Sequence, residues 1–185
     1  MKRGAVLGAS LAMTALLAAC GSQAPDPEEG SPQTTQASSG PQINDPKDAA
    51  AIPPCDILPE GTAANLGLKP QGREVEDSSN RVCSWSSPDD RDRLGLSAIP
   101  NRSLSSYLDN RSQYADFAEL TIAGHPAVRA NRTDPKQMGG CAIFLATKND
   151  QVLSSQVDFF DKTKDPCGLA QQALEAAVSA LPAAK

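Results

Sequence analysis

The chain has 185 residues, with 17 basic and 22 acidic side chains and a sequence pI near 4.9. This acidity excludes a typical nucleic-acid-binding protein, which needs a basic surface to neutralise phosphates. The mean hydropathy is −0.36 and the only long apolar run lies at the extreme N-terminus, so a polytopic membrane protein is excluded as well. The length suits one ordinary domain, and 15 prolines and 13 glycines indicate that part of the chain does not fold.

The first twenty residues have the organisation of an export signal. Met1-Lys2-Arg3 is a short positive region, and Gly4–Leu17 follows as an uncharged apolar run that is too short to span a bilayer. The run ends in Leu17-Ala18-Ala19-Cys20, which resembles the lipobox of bacterial lipoproteins. The resemblance implies that residues 1–19 are a lipoprotein signal peptide and that the Cys20 thiol carries diacylglycerol, with palmitate among the acyl chains. The alternative is an ordinary signal peptide with a chance cysteine.

Residues 20–53 are predicted to be a disordered tether that begins with the lipidated cysteine. The segment is rich in Pro, Ser and Gln, has no aromatic residue, and contains only Ile43 and Ile52 as large aliphatic residues. As a flexible coil it would span roughly 30 Å. Because two acyl chains anchor a protein stably, we expect a protein that is lipid-anchored through Cys20 on the extracytoplasmic face of the cell membrane.

Residues 54–185 are predicted to form a single α+β domain, an antiparallel β-sheet with helices packed on it. Strand and helix signals alternate along this segment, and short turns join the strands. The predicted elements are, in chain order, helical turns over Pro54–Leu66, strands over Arg81–Ser86 and Leu94–Ile99, a helix from Ser103 towards Ala115, strands over Glu119–Ala123 and Ala127–Asn131 around a reversal at Gly124-His125-Pro126, strands over Cys141–Thr147 and Val152–Phe160, and a helix that starts at Pro166 and ends at Pro182.

Four cysteines remain after Cys20, an even number that indicates two disulfides in an exported chain. Their spacing contains no Cys-x-x-Cys, which argues against a structural zinc or a thioredoxin-type site, so we expect neither metal nor cofactor. Three connectivities are possible. Cys141 opens a hairpin whose second strand ends shortly before Cys167, and a similar return of the chain brings Cys83 near Cys55. Local pairing, Cys55 with Cys83 and Cys141 with Cys167, is therefore favoured.

Several motifs around these cysteines resemble those of one family. Cys83-Ser84-Trp85 resembles a Cys-x-Trp strand, and the other three motifs are Pro54-Cys55-Asp56-Ile57-Leu58, Gly124-His125-Pro126-Ala127-Val128 and Asp165-Pro166-Cys167-Gly168-Leu169-Ala170. Together they resemble the actinobacterial lipoproteins of the domain of unknown function 3558. The chain departs from that pattern at Pro53, where Asp is usual, and at His125, where an aromatic residue is usual. The family has no established activity, so the resemblance implies location and fold only.

No catalytic constellation is visible in the sequence. The single histidine, His125, is interpreted as an exposed turn residue. The acidic cluster of Asp89, Asp90 and Asp92 is interpreted as a solvated loop neutralised by Arg91 and Arg93. We therefore expect a monomeric, non-catalytic binding module for an envelope ligand or protein partner, whose apolar cavity, if it has one, the sequence leaves open. The alternative is a cell-envelope hydrolase that uses His125 or the Asp89 region.

Overall fold

The computed structural model describes residues 40–77 and 80–185, within which there are seven β-strands and four α-helices. The predicted signal peptide, Cys20 and residues 20–39 of the predicted tether lie outside the described residues. In chain order the elements are α1 (Glu60–Asn65), β1 (Arg73–Asp77), β2 (Asn80–Ser86), β3 (Arg93–Pro100), α2 (Ser105–Leu108), β4 (Asp116–Ile122), β5 (His125–Asn131), α3 (Pro135–Met138), β6 (Gly140–Lys148), β7 (Gln151–Asp158) and α4 (Pro166–Ala180).

All seven strands belong to one antiparallel sheet with the order β1-β2-β3-β7-β6-β5-β4. Strand β7 lies at the centre and pairs with β3 on one side and β6 on the other, so that Val157 is opposite both Leu94 and Cys141. The α+β class with an antiparallel sheet is therefore confirmed. Strand β1 was not predicted because its five residues carry four charges and one valine.

The hairpin between β4 and β5 reverses at Ala123 and Gly124, which have φ values of 48° and 82°. Two consecutive residues with positive φ are what a two-residue hairpin turn of the right twist requires. The turn therefore ends before His125, which is the first residue of β5 and pairs with Ile122. The predicted reversal at Gly124-His125-Pro126 lies one residue too late, because Ala123 was assigned to the preceding strand.

Helix α4 covers one face of the sheet and buries the larger part of the core. Asp165 is its N-cap, and the Asp165 carboxylate accepts a hydrogen bond from the Cys167 N–H at 3.1 Å. Pro166 occupies the first helical position, where no N–H is needed. The side of the helix that packs on β6 and β7 is fully buried, and its residues are Ala170, Ala173, Leu174, Ala177 and Val178. The small alanines let the helix lie close to the strands.

The opposite face of the sheet carries a smaller cluster beneath α2. Tyr107 stacks on Phe144 with ring centroids 4.1 Å apart, and Val128 and Val152 are fully buried beside them. Burial raises the pKa of the Tyr107 hydroxyl to about 12. The predicted helix from Ser103 towards Ala115 is shorter than expected, because Asn110 turns its amide back to donate to the Ser106 carbonyl at 2.8 Å and the chain continues as a 3-10 turn.

Both predicted disulfides are present. Cys55 bonds to Cys83 and Cys141 bonds to Cys167, with Cα atoms 4.9 and 5.2 Å apart. Each joins a Pro-Cys turn or helix start to a strand of the sheet. Gly72 is required beside the first bond, since a Cβ at that position would collide with the Cys83 sulfur and the indole of Trp85. Both bonds therefore hold elements of the helix side against the sheet.

Residues 40–53 pack on the domain, which corrects its predicted start at Pro54. The Lys47 N–H donates to the Thr147 carbonyl at 3.0 Å and the Asp48 N–H donates to the Pro182 carbonyl at 2.9 Å. Ala49 is buried in the core, and Ile43 packs under α2. The segment has few apolar residues, so its composition alone predicted disorder, but backbone bonds to β6 and to the C-terminal tail order it. We call residues 46–49 the strap.

Candidate functional site

The acidic loop between β2 and β3 is a structural turn whose carboxylates are all engaged. Asp89 accepts from the Ser87 hydroxyl at 2.5 Å, which lowers the pKa of its carboxyl. Asp90 accepts from the Lys69 ammonium at 2.6 Å, which likewise lowers its pKa. Asp92 is buried and accepts from the Phe160 N–H at 3.0 Å and the Lys164 ammonium at 2.6 Å. Each group stabilises the loop.

This geometry corrects two sequence-based interpretations of the loop. Asp92 is buried rather than solvated, because it bridges the loop to the segment after β7. The ion pairs of Asp90 and Asp92 are formed by Lys69 and Lys164 rather than by Arg91 and Arg93, while the charge of Arg91 contributes to the lowered pKa of the Asp89 carboxyl. Arg91 instead lies over the ring of Phe160, with its guanidinium carbon 3.9 Å from the ring centroid. These partners are distant in sequence, so spacing along the chain did not reveal them.

His125 is buried, which corrects its interpretation as an exposed turn residue. Its exposed fraction is 4%, and its Nδ1 is 3.1 Å from the Ala146 carbonyl oxygen. Because a carbonyl oxygen only accepts, Nδ1 carries the proton and donates this bond. The ring joins β5 to the end of β6 and occupies the position of a core side chain.

Among residues 40–77 and 80–185, no group of three or more His, Cys, Asp or Glu side chains is arranged to hold a metal ion. None of the helices in the same ranges combines the length and the hydropathy needed to cross a bilayer.

A cleft of about 580 Å³ lies on the helix side of the sheet. Helix α4 lies over β6 and β7 and leaves part of β4 and β5 uncovered, and α3 forms the opposite wall. The floor is apolar, with half-buried Leu120 from β4, while Ile143 from β6 borders it with only 1% of its surface exposed and Pro135 and Pro166 contribute the walls. The volume lies within the range of about 300–1,000 Å³ that is typical of small-molecule sites.

A hydrogen-bonded carboxylate and guanidinium form the polar end of the cleft floor. Arg129 donates from Nε and Nη2 to the two carboxylate oxygens of Asp116, both at 2.8 Å. Asn131 donates to the same carboxylate at 2.8 Å and accepts from the Ala142 N–H at 2.7 Å. These bonds lock Arg129 across β4 and β5, with its side chain 32% exposed at the cleft. The guanidinium is therefore held in place before any ligand arrives.

The cleft lies at the end of the sheet away from the strap. Cys167 lines the cleft and bonds to Cys141 near the start of β6, whereas the strap bonds to Thr147 near the end of β6. Six residues of extended strand separate these points, which corresponds to about 20 Å. The polar end of the cleft and the strap therefore lie near opposite ends of β6.

The comparison with protein families gives one match, to the family described as protein of unknown function (DUF3558), over residues 15–180. The chain belongs to the DUF3558 family. No match was found among curated proteins or among solved structures. The activity of this DUF3558 protein must therefore be argued from its own residues.

The two departures from the family motifs have structural counterparts in this DUF3558 protein. With Pro53 in place of Asp, the first turn has no side-chain cap, and Pro54–Asp56 forms only a 3-10 turn before α1 begins at Glu60. His125 is buried, as the aromatic residue usual at that position would be. The family motif was thus a signal that His125 belongs to the core.

The cleft has no signature in the sequence. Its lining comes from β4, β5, β6, α3, the segment before α4 and α4 itself, so no short motif contains it. Of the site residues named from the sequence, only Cys167 lines it. The one local signal is Asp165-Pro166-Cys167, which determines where α4 begins. The start of α4 in turn determines how much of the sheet the helix covers.

Proposed function

We propose that this DUF3558 protein is an extracytoplasmic lipoprotein, anchored to the cell membrane through diacylglyceryl Cys20, that binds an envelope ligand in the cleft beside α4. The observation that carries the proposal is the cleft itself, with its apolar floor and its fixed guanidinium. Anchorage is supported by the resemblance of Leu17-Ala18-Ala19-Cys20 to a lipobox.

A non-catalytic role is supported by the positions of the two sequence-based candidates for chemistry. The Asp89 loop precedes β3 at Arg93, which pairs with Asp158, at the end of the sheet where β6 begins. His125 lies against Ala146 at the other end of β6. The two candidates are thus about 20 Å apart along the strands, too far to act as a catalytic pair. Neither lines the cleft beside α4.

A pair of tryptophan substitutions on α4 tests the proposal. Gln171 lines the cleft, whereas its neighbour Gln172 is exposed and does not. Gln171→Trp should fill the cleft, and Gln172→Trp adds the same side chain elsewhere on the helix. In a deletion strain with a scored envelope phenotype, we expect Gln172→Trp to complement and Gln171→Trp to fail at equal abundance and equal thermal midpoint. Full complementation by Gln171→Trp would contradict binding in the cleft.

Anchorage has its own test. Metabolic labelling with a fatty-acid probe should tag the wild-type chain, whereas Cys20→Ala should be unlabelled and should be released or left as a precursor. Equal labelling of both chains would contradict lipidation at Cys20. Because this result does not depend on the cleft, the two halves of the proposal can fail separately.

A further inference from the structure

The free hydrogen-bonding capacity of the cleft is dominated by donors. A guanidinium carries five N–H groups, and Arg129 uses two of them on Asp116. Among the described residues the other three have no hydrogen-bond partner, and the side chain is 32% exposed at the cleft. The floor therefore offers a fixed, partly desolvated cation with a free edge.

Two lysines at the cleft add positive charge. Lys136 is on α3, and the side chain of Lys162, from the segment before α4, lies beside Gly139 at the end of α3. In the part of the chain that the structure describes, neither is ion-paired with a carboxylate. A ligand in the cleft would therefore meet two ammonium groups that form no ion pair within this part of the chain.

The acidic side chains of the cleft are each engaged by the protein. Asp116 accepts from Arg129 and Asn131, Asp134 accepts from the Lys136 N–H at 2.9 Å, and Asp165 accepts from the Cys167 N–H at 3.1 Å. Asp165 lies over the first turn of α4, so the helix terminus itself is closed to an anion. The selectivity must come from the basic side chains.

Four basic and three acidic side chains line the cleft of a chain whose formal net charge is −5. Lys164 is already paired with Asp92 at 2.6 Å and Arg129 with Asp116 at 2.8 Å. Among the described residues, the lining cations without a carboxylate partner are therefore Lys136 and Lys162, which together with the free edge of Arg129 would attract an anionic group. Beneath the charged groups the accessible floor is aliphatic at Leu120, which is half-buried and lies next to the buried Ile143. A ligand that matches both parts has an acidic head and an apolar body.

We propose that the cleft binds an anionic amphiphile, with its carboxylate or phosphate on the free edge of Arg129 and its apolar chain against Leu120. Lys136 and Lys162 hold the head at the mouth. This inference rests on the proposed function, because it names the class of ligand for the same cleft. The shared chemistry is an acidic group on a hydrocarbon chain, which a free fatty acid and a phosphate monoester both carry.

Three probes with the same chain and different heads test the inference: decanoate, decyl phosphate and decanol, each below its micelle concentration. The mature chain, exported through a signal without a lipobox, is titrated with each probe by NMR. We expect decanoate or decyl phosphate to shift the amides of Leu120 and Ile143 and to bind about tenfold or more tightly than decanol, with an affinity that falls as salt rises. The acid that binds more tightly shows whether the ligand carries a carboxylate or a phosphate.

Charge-reversal variants complete the test. Lys136→Glu with Lys162→Glu should weaken binding of the acid about tenfold or more. Arg73→Glu with Arg93→Glu changes the net charge equally at exposed positions outside the cleft and should leave binding unchanged. Equal affinity for decanol and the acids, or equal loss in both double variants, would overturn the inference.

The proposed function can survive that result. If none of the three probes binds while Gln171→Trp still abolishes complementation, the cleft is functional but its ligand is not an anionic amphiphile. If the acids bind while Gln171→Trp complements fully, the cleft has the inferred chemistry but the proposed function is wrong. The two experiments therefore separate the failure of the ligand class from the failure of the site.

Discussion

Gln151 and Asp48 are 103 residues apart in the chain, and the Gln151 amide nitrogen donates to an Asp48 carboxylate oxygen at 3.1 Å. The same glutamine accepts through its amide oxygen from the Ala49 N–H at 2.8 Å and from the Thr147 hydroxyl at 2.9 Å. Asp48 also accepts from the Lys148 ammonium at 3.0 Å. The buried Gln151 side chain, at the start of β7, therefore forms hydrogen bonds with both the strap and the β6–β7 hairpin.

Gln151→Leu should destabilise the domain by about 2–4 kcal/mol, because the Ala49 N–H and the Thr147 hydroxyl then lose a buried acceptor. Gln156→Leu on the same strand is a matched control, since Gln156 is exposed. Hydrogen exchange should accelerate most at the amides of Lys47, Asp48 and Ala49. If the two variants have equal thermal midpoints, Gln151 does not hold the strap.

Asp48→Asn should alter the acid stability of the domain. The hydrogen bond from Gln151 and the interaction with Lys148 lower the pKa of the Asp48 carboxyl in the folded state. A lowered folded pKa contributes stability that is present above the unfolded value of about 3.9 and is lost as the pH falls through the folded pKa. We expect the wild type to be more stable by about 1 kcal/mol at neutral pH, with the difference from Asp48→Asn shrinking below about pH 4 in urea titrations. A difference that is independent of pH would contradict this assignment.

His125→Ala should lower stability by about 2–3 kcal/mol, because it leaves a cavity and removes the donor to the Ala146 carbonyl. His125→Phe restores the volume without the donor and should cost only about 1 kcal/mol. Because His125 does not line the cleft, His125→Phe should complement a deletion as the wild type does. Loss of complementation at an unchanged thermal midpoint would instead favour the hydrolase alternative.

Much of the strand and helix pattern could be predicted from the sequence because alternation and capping are local signals. Ile143 and Leu145 face α4 while Phe144 and Ala146 face the other side, as the alternation in that segment predicted. Asp165 caps α4 where Asp-Pro-Cys indicated. Such features depend on neighbouring residues, so a single sequence reveals them.

The features that could not be predicted depend on contacts between residues far apart in the chain. Burial of Asp92 follows from Lys164 and the Phe160 N–H, and order in the strap follows from Gln151. The cleft exists because α4 leaves β4 and β5 partly uncovered, which depends on packing rather than on any motif. The composition of residues 40–53 predicted disorder because the segment has few apolar residues. Composition does not show the backbone hydrogen bonds that order it.

Tyr107 should make the domain sensitive to alkali. Burial raises its folded pKa to about 12, above the unfolded value of about 10. A raised folded pKa means that the stabilisation is complete below the unfolded pKa and is lost as the pH rises through the folded pKa. The contribution is up to about 2–3 kcal/mol, lost between about pH 10 and 12. Tyr107→Phe should reduce this loss, and the tyrosinate absorbance of the wild type should show a late step that the variant lacks. Identical absorbance titrations of the wild type and Tyr107→Phe above about pH 11 would contradict it.

The two disulfides should be nearly equal in stability but unequal in function. They close loops with sequence separations of 28 and 26 residues, so the chain-entropy estimate gives about 3.5 kcal/mol for each. Only the Cys141–Cys167 bond holds the start of α4 against β6, where the helix forms a wall of the cleft. Cys55 and Cys83 lie outside the cleft.

The double variants Cys141→Ser with Cys167→Ser and Cys55→Ser with Cys83→Ser should therefore have similar urea midpoints, measured under conditions where both remain folded. Affinity for the amphiphile probes should fall in the first variant, because the unfastened start of α4 no longer fixes the wall opposite α3. The second variant should bind as the wild type does, since its altered bond is remote from Arg129 and Leu120. Equal binding by both variants would mean that the cleft keeps its shape without the Cys141–Cys167 bond, and that this disulfide contributes to stability alone.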